Sequence, residues 1–158
     1  MFGREPRRID RRQTHFAVRM DAQERDLIRQ LLGELRELLA LSPDDVRVRR
    51  LYPSAYADDA EREDEYRSLT REELQSGRLA SIDAVEASVD AELLDADQLA
   101  AWMQAVNSLR LVLGTMLDIT DDDHELRFDP NDPNARTVAL YGYLGGLLDE
   151  IVDAQLAD

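Results

Sequence analysis

Apolar residues recur along this chain with a spacing near 3.6 in four long stretches, and that spacing predicts helices joined by charged turns. The longest apolar stretch runs from Leu94 to Leu117. At 100° per residue, Leu99, Trp102, Met103, Val106, Leu109, Leu113, Met116 and Leu117 fill one wide arc. Leu111 and Val112 fall outside the centre of that arc, so this helix is expected to be covered on more than one side. Asp95 is placed to cap it, with Gln98 as the return partner and Leu94 and Leu99 at staple spacing. One charged residue, Arg110, lies inside the arc, one turn before Gly114.

The other stretches follow the same logic. Asp21 with Glu24 opens a helix to about Leu41, with Leu27, Ile28, Leu31, Leu32, Leu35, Leu38 and Leu39 as its apolar stripe. Arg25, Arg29 and Arg36 border the stripe, where pairing with the chain's own carboxylates is the expected use. Ser42, Pro43 and Asp45 start a short helix that ends before Tyr52-Pro53. Asp58 with Glu61 caps another to about Ser68, and Thr70 with Glu73 caps a further one to about Val89. Arg78 falls among the inward residues Leu74, Ile82, Val85 and Val89; its stem suits the core and its guanidinium the rim. Asp132 and Pro133 open the last helix, with Leu140, Tyr141, Leu144, Leu147, Leu148, Ile151 and Val152 as its buried face. Ala139, Gly142 and Gly146 line the opposite side, either as tolerated surface residues or as a face where another helix, including that of a second copy, approaches. Gly145 is expected to meet Gly114 where the two long helices cross.

Only two segments alternate with period two. Thr14 to Met20 sets Phe16, Val18 and Met20 against His15, Ala17 and Arg19, and His124 to Asp129 sets Leu126 and Phe128 against Glu125 and Arg127. The expectation is a mainly α, single-domain helical bundle of about six helices with a small two-stranded ribbon over residues 14–158, preceded by a disordered basic arm over residues 1–13.

Charge changes this picture more than composition does. All 19 basic residues are arginine, as in a GC-rich coding sequence, and the formal net charge is −15. Residues 1–20 carry six arginines against Glu5 and Asp10, or +4, so the remaining 138 residues carry −19. A body of that charge repels duplex DNA, whose non-specific affinity comes from phosphate neutralisation. DNA contact is therefore expected only indirectly or through the N-terminal arm. There is no cysteine, which excludes a disulfide framework, a thiolate metal site and a cysteine nucleophile. No run reaches the ~18 apolar residues of a membrane span, and no leader pattern is present, so the expected location is the cytoplasm.

Candidate chemistry is sparse. His15 and His124 sit on the two alternating segments, near Asp121 to Asp123, but no ligands recur at i,i+4 on a helix and the acidic loop lacks the glycine-centred calcium pattern. No phosphate loop, nucleophile elbow or dinucleotide fingerprint occurs. The expectation is no enzyme, metal or cofactor. Arg110 needs a partner or water, because a bare charge on an apolar face is costly. Asp149 or Glu150, or Asp83 or Glu86, are candidate partners, with carbonyl capping as another structural role. A ligand pocket using Arg110, Asn107 and Tyr141, with Arg78 as a second inward arginine, is the alternative, for a small-molecule sensor or an enzyme. A homodimeric scaffold built on Ala139, Gly142 and Gly146 is a further one.

Two pairs of segments carry a family resemblance. RLYPSAYADD (Arg50 to Asp59) is followed by YRSLTREEL (Tyr66 to Leu74), and AAWMQAVNSLRLVLGTMLDI (Ala100 to Ile119) by DPNARTVALYGYLGGLLDEIV (Asp132 to Val152). Over roughly residues 14–156 this resembles the actinobacterial AosR family, most specifically at Trp102, Asn107 to Leu111, Leu113 to Thr115, Ala139 to Tyr141 and Leu144-Gly145. The resemblance implies a transcriptional regulator of the oxidative-stress response that acts with an alternative sigma factor of RNA polymerase. It also implies a switch through a paired-cysteine (CxxxC) disulfide. This chain departs from the family there, having no cysteine, so the switch transfers to no position of it.

Overall fold

The computed structural model describes residues 7–41, 45–52, 59–119 and 129–157. They form strands β1 (Ile9–Arg12), β2 (His15–Val18) and β3 (Leu93–Leu94), and helices α1 (Ala22–Leu41), α2 (Ala60–Ser88), α3 (Ala96–Met116) and α4 (Ala135–Leu156). A 3₁₀ turn, Val46–Leu51, lies between α1 and α2. The architecture is the expected mainly α bundle with a small antiparallel sheet. No helix among the described residues is long and apolar enough to cross a membrane.

Helix α3 is the centre. Asp95 Oδ1 accepts the Gln98 backbone N–H at 2.8 Å, and Gln98 Oε1 accepts that of Asp95 at 2.9 Å, closing the expected capping box. Leu94 and Leu99 on either side of it are fully buried. Beyond, Trp102, Ala105, Val106, Ser108, Leu109, Val112, Gly114 and Thr115 are all buried, which is more than one helical face. α4 and α2 pack most extensively on it, the 3₁₀ turn nearly as much, and α1 covers less. The expected wrapping of this helix is therefore what the fold achieves. Met116, placed in the apolar arc by periodicity, is 47% exposed at the open end.

Several boundaries differ from the sequence expectation. The helices expected over 58–68 and 70–89 are one continuous α2, capped by Asp59, which accepts from Arg62 N at 3.2 Å; Asp58 lies outside the described residues. Inside that helix Thr70 Oγ1 donates to Tyr66 O at 2.7 Å instead of capping a new start. Ending and renucleating a helix forfeits hydrogen bonds and repeats the nucleation cost, so a Thr-x-x-Glu signal without a glycine or proline before it is overridden. Asp132 does not cap α4 directly. Its Oδ1 accepts from Asn134 N at 2.8 Å in a turn, and the helix begins at Ala135. Val152, expected on the buried face of α4, is exposed. The start signal at Ser42 and Pro43 lies outside the described residues. The short helix that follows is a 3₁₀ turn capped by Asp45, which accepts from Arg47 N at 2.9 Å.

The sheet also differs. Residues 9–12, expected to be disordered, pair antiparallel with β2, from Ile9 opposite Val18 to Arg12 opposite His15, and Ile9 is fully buried. β2 pairs on its other edge with β3, Phe16 opposite Leu94. Both edges of β2 are thus occupied by β1 and β3, and His124 to Asp129 was the partner expected for it. Residues 124–128 lie outside the described residues. A strand reading IDRR has one apolar residue and Leu93–Leu94 has two positions, so neither can show a period of two.

A buried polar pair links the two helices at the centre. Trp102 Nε1 donates to Ser88 Oγ at 2.9 Å, and that hydroxyl donates to Ala84 O at 2.8 Å. Removing the acceptor strands the indole N–H in a dry core. Ser88→Ala is expected to lower unfolding stability in urea by about 1–3 kcal/mol. In a Trp102→Phe background the same change should cost clearly less. Equal cost in both backgrounds would show that the pair is not coupled.

Candidate functional site

The arginines that sequence patterning turns inward do not converge on one pocket. Arg78 reaches Ser108 Oγ at 3.5 Å and Leu51 O at 3.4 Å, on the side of α3 facing α2 and the 3₁₀ turn. Arg110 lies on another side of α3, its guanidinium 4.8 Å from the centroid of the Tyr141 ring on α4. The carboxylates considered for Arg110 are elsewhere engaged or apart: Asp83 and Glu86 hold Arg36 at 2.6 and 2.8 Å, and Glu150 holds Arg8. The expected ion pair of Arg110 is therefore replaced, among the described residues, by cation–π stacking, which keeps the charge over an electron-rich face while the stem packs. Its Nε is buried without a hydrogen bond. Asn107 is half-buried one turn earlier on α3.

The helix crossing explains the glycines. A Cβ at Gly114 would lie 3.3 Å from both Tyr141 Cε2 and Arg50 Nη1, and one at Gly145 would lie 3.4 Å from Arg110 Nε. The expected contact between the two glycines is absent. Each small residue instead receives a long side chain of the other helix, Tyr141 over Gly114 and Arg110 over Gly145. Ala139, Gly142 and Gly146 are exposed, and a Cβ at either of these glycines would meet nothing within 4 Å. That face is open in the single chain.

Two arginines that sequence reading did not single out for their role hold helix ends. Arg25 Nη1 donates to Val89 O at 2.6 Å and Ala91 O at 3.0 Å, and its Nε donates to Met20 O at 3.0 Å. Arg50 Nη2 donates to Ile119 O beyond the end of α3. Neither α2 nor α3 has a basic residue in its own last turn. The C-cap carbonyl of α2, at the negative end of the helix dipole, is met by Arg25 from α1, and Arg50 ties down the turn that follows α3. The missing last-turn base is a sequence signal that a donor must come from elsewhere, though it does not say which arginine supplies it.

The N-terminal segment is bound down by charge. The Arg8 backbone N–H donates to Glu150 Oε1 at 2.9 Å, its Nε to Glu24 Oε1 at 2.5 Å, and its guanidinium lies 5.1 Å from the Tyr143 ring centroid. Hydrogen bonding to Glu24 raises the Arg8 pKa above its ordinary value despite burial. Burial, followed by the nearby Glu24 carboxylate, pushes the Tyr143 hydroxyl up to about 12. Arg7 faces Asp153 at 3.5 Å, and Arg12 and Arg19 both face Asp10 at 3.6 Å.

A groove of about 570 Å³ lies between α1 and α4, over α3. The two flanking helices make little contact with each other. Leu31, Leu35, Leu109 and Val112 are buried beneath the groove, Leu38, Leu113 and Leu140 are half-buried along it, and Leu41 and Met116 stand exposed at one end. Glu34 and Glu37 edge the α1 wall and Arg136 the α4 wall. Arg110, Asn107 and Tyr141 do not line it. Periodicity placed Leu31, Leu35 and Leu109 in the core, where they are buried, and Met116 with them, although a stripe shows which side is apolar and not whether a neighbour covers all of it. No group of three or more His, Asp or Glu side chains suited to a metal occurs among the described residues. His15 Nδ1 is 3.0 Å from Thr14 Oγ1, while His124 and Asp121 to Asp123 lie outside those residues.

Residues 6–155 match the family described as Domain of unknown function (DUF2017), and the chain belongs to that family. No curated protein and no solved structure matches it.

Two predictions follow from the geometry. Gly142→Ala and Gly146→Ala fill open space on a helix and should each raise stability by about 0.5–1 kcal/mol. Gly114→Ala pushes on the Tyr141 ring and should lower it, so thermal melts of the three variants should shift in opposite directions. The second concerns base. Between about pH 10 and about 12 folded Tyr143 keeps a proton that the unfolded chain releases, so its contribution is full below pH 10 and fades as pH rises. Denaturation midpoints should fall across that window, and Tyr143→Phe should flatten the fall; an unchanged slope would assign it to other groups.

Proposed function

We propose that this protein is a cytoplasmic regulator of the transcription apparatus that works through protein–protein contact, with an alternative sigma factor or RNA polymerase as partner, and without catalysis of its own. The observation that carries the protein-contact part is the fate of the basic N-terminal segment. Its described arginines face the chain's own carboxylates, Arg7 at Asp153, Arg8 at Glu24 and Glu150, and Arg12 and Arg19 at Asp10. Arg11 lies over the Phe16 ring. Cations already matched within the fold have little left to neutralise phosphates, and the net charge of −15 opposes DNA further. A basic protein surface suits this molecule better than a promoter.

The identity of the partner rests on the resemblance of Ala100 to Ile119 and Asp132 to Val152 to the AosR regulators, as does the oxidative-stress setting. With no cysteine in the chain, a paired-cysteine switch has no place in this proposal. Any oxidative response would have to be supplied by the partner or by expression.

The test is affinity purification of the full chain from resting and oxidatively stressed cells. Sigma factor or polymerase subunits should be recovered in at least one condition. Recovery of neither in both conditions would remove the proposal.

A further inference from the structure

We infer that the groove between α1 and α4 is a docking site for an amphipathic helix of a partner protein, about three turns long, with a basic edge along α1. The inference rests on the reading of this chain as a protein-binding regulator and names the surface and the chemistry of what it binds.

Shape sets the class of occupant. The groove follows α1 from Gln30 to Leu41, a length of about 16 Å at 1.5 Å per residue. Its apolar lining is half-buried at Leu38, Leu113 and Leu140, and Leu41 and Met116 stand 80% and 47% exposed at one end. A convex rod with apolar residues at i, i+3 or i+4 and i+7 fills such a trough and removes both side chains from water. A strand would leave its backbone groups unpaired over that floor, since the trough offers helix walls and no free strand edge.

Charge sets the orientation. Glu34 and Glu37 stand exposed at i,i+3 on one wall and make no ion pair among the described residues. Arg136 stands exposed on the opposite wall, also without a carboxylate partner among them. The remaining rim cation, Arg47, is already held by Asp45 at 2.8 and 2.9 Å and adds little field. Lys or Arg three to four residues apart on one edge of the incoming helix meets Glu34 and Glu37, and an acidic residue on its other edge meets Arg136. A second copy of this chain fits poorly. Two bodies of net charge −15 repel each other, and the arginines of α1 are spent on Asp26, Asp90, Asp83, Glu86 and backbone carbonyls.

The experiment is selection of a phage-displayed library of α-helical peptides on the full chain, followed by fluorescence anisotropy of the enriched peptides. Enriched sequences should share the apolar i, i+3/i+4, i+7 spacing and a basic edge. Met116→Asp, at a half-exposed position, should weaken them about tenfold or more, and Glu34→Arg with Glu37→Arg should shift the selection toward acidic edges. Circular dichroism of each variant confirms that it folds. No enrichment, enriched peptides without the pattern, or binding untouched by both variants overturns the inference. So does sedimentation showing a dimer that Met116→Asp dissolves, because a second copy would then occupy the groove. The regulator reading is separable: wild-type capture of polymerase or sigma factor that persists in Met116→Asp sinks the groove and spares the reading. Failure of wild-type capture sinks the reading and leaves the peptide selection to judge the groove.

Discussion

Helix α3 is apolar on more than one side, and that forces the rest of the chain to surround it. A helix with a single apolar stripe rests on one neighbour, whereas this one buries Trp102, Val106, Leu109 and Val112 together with Ala105, Ser108 and Thr115. α2 takes one side through Ile82, Val85 and Ser88, and α4 takes another through Leu144, Leu147 and Ile151. The 3₁₀ turn brings Val48 and Leu51 onto a third. The sheet seals the helix start, because Leu94 of β3 and Leu99 of the first turn are buried together. What α1 leaves uncovered becomes the groove. The opening is thus a consequence of covering one helix with several elements when α1 is set apart from α4.

Arginine is the means by which this chain closes the ends of its helices. With no lysine available, each buried cation is a guanidinium, planar and able to donate in several directions at once. Arg25 uses that geometry to gather carbonyls from the end of α2 and from the turn before α1. Arg50 donates to the Ile119 carbonyl in the turn after α3 and Arg78 to that of Leu51 at the end of the 3₁₀ turn. Arg110 differs, having an aromatic face in place of an oxygen. These contacts concern backbone polar groups that water would otherwise have to reach, so they matter more than the exposed ion pairs of Arg29 and Arg36, each of which contributes at most ~1 kcal/mol.

The same use of charge shapes the functional reading. The basic segment, by charge the one candidate contact for a nucleic acid, is folded against Glu24, Glu150, Asp153 and Asp10, and the charge at the groove is divided between acidic and basic walls. Both features favour recognition of another protein, one by removing the competing use and the other by supplying direction along a trough.

Much of this was legible in the residues. The Asp95–Gln98 capping box, the Leu94–Leu99 staple and the apolar arc of α3 depend on neighbours within a few positions, and local geometry decides such interactions. The same holds for Asp21 at the start of α1, which accepts from Glu24 N at 2.8 Å. Other features required the whole fold. Thr70 reads locally as a helix start, yet the continuous α2 outcompetes it. Ile9 to Arg12 becomes a strand only because β2 offers an edge and α4 offers Glu150 to Arg8. Gly114 meets Tyr141 and not Gly145 because the crossing angle and offset of two helices are set by the packing of both surfaces. Periodicity identified the apolar stripes beside the groove; only the separation of α1 from α4 left Leu38, Leu113 and Leu140 half-buried and Met116 exposed. Short-range hydrogen bonds and stripes are written in adjacent residues, whereas strand partners, arginine targets and open surfaces depend on which distant elements the core brings together.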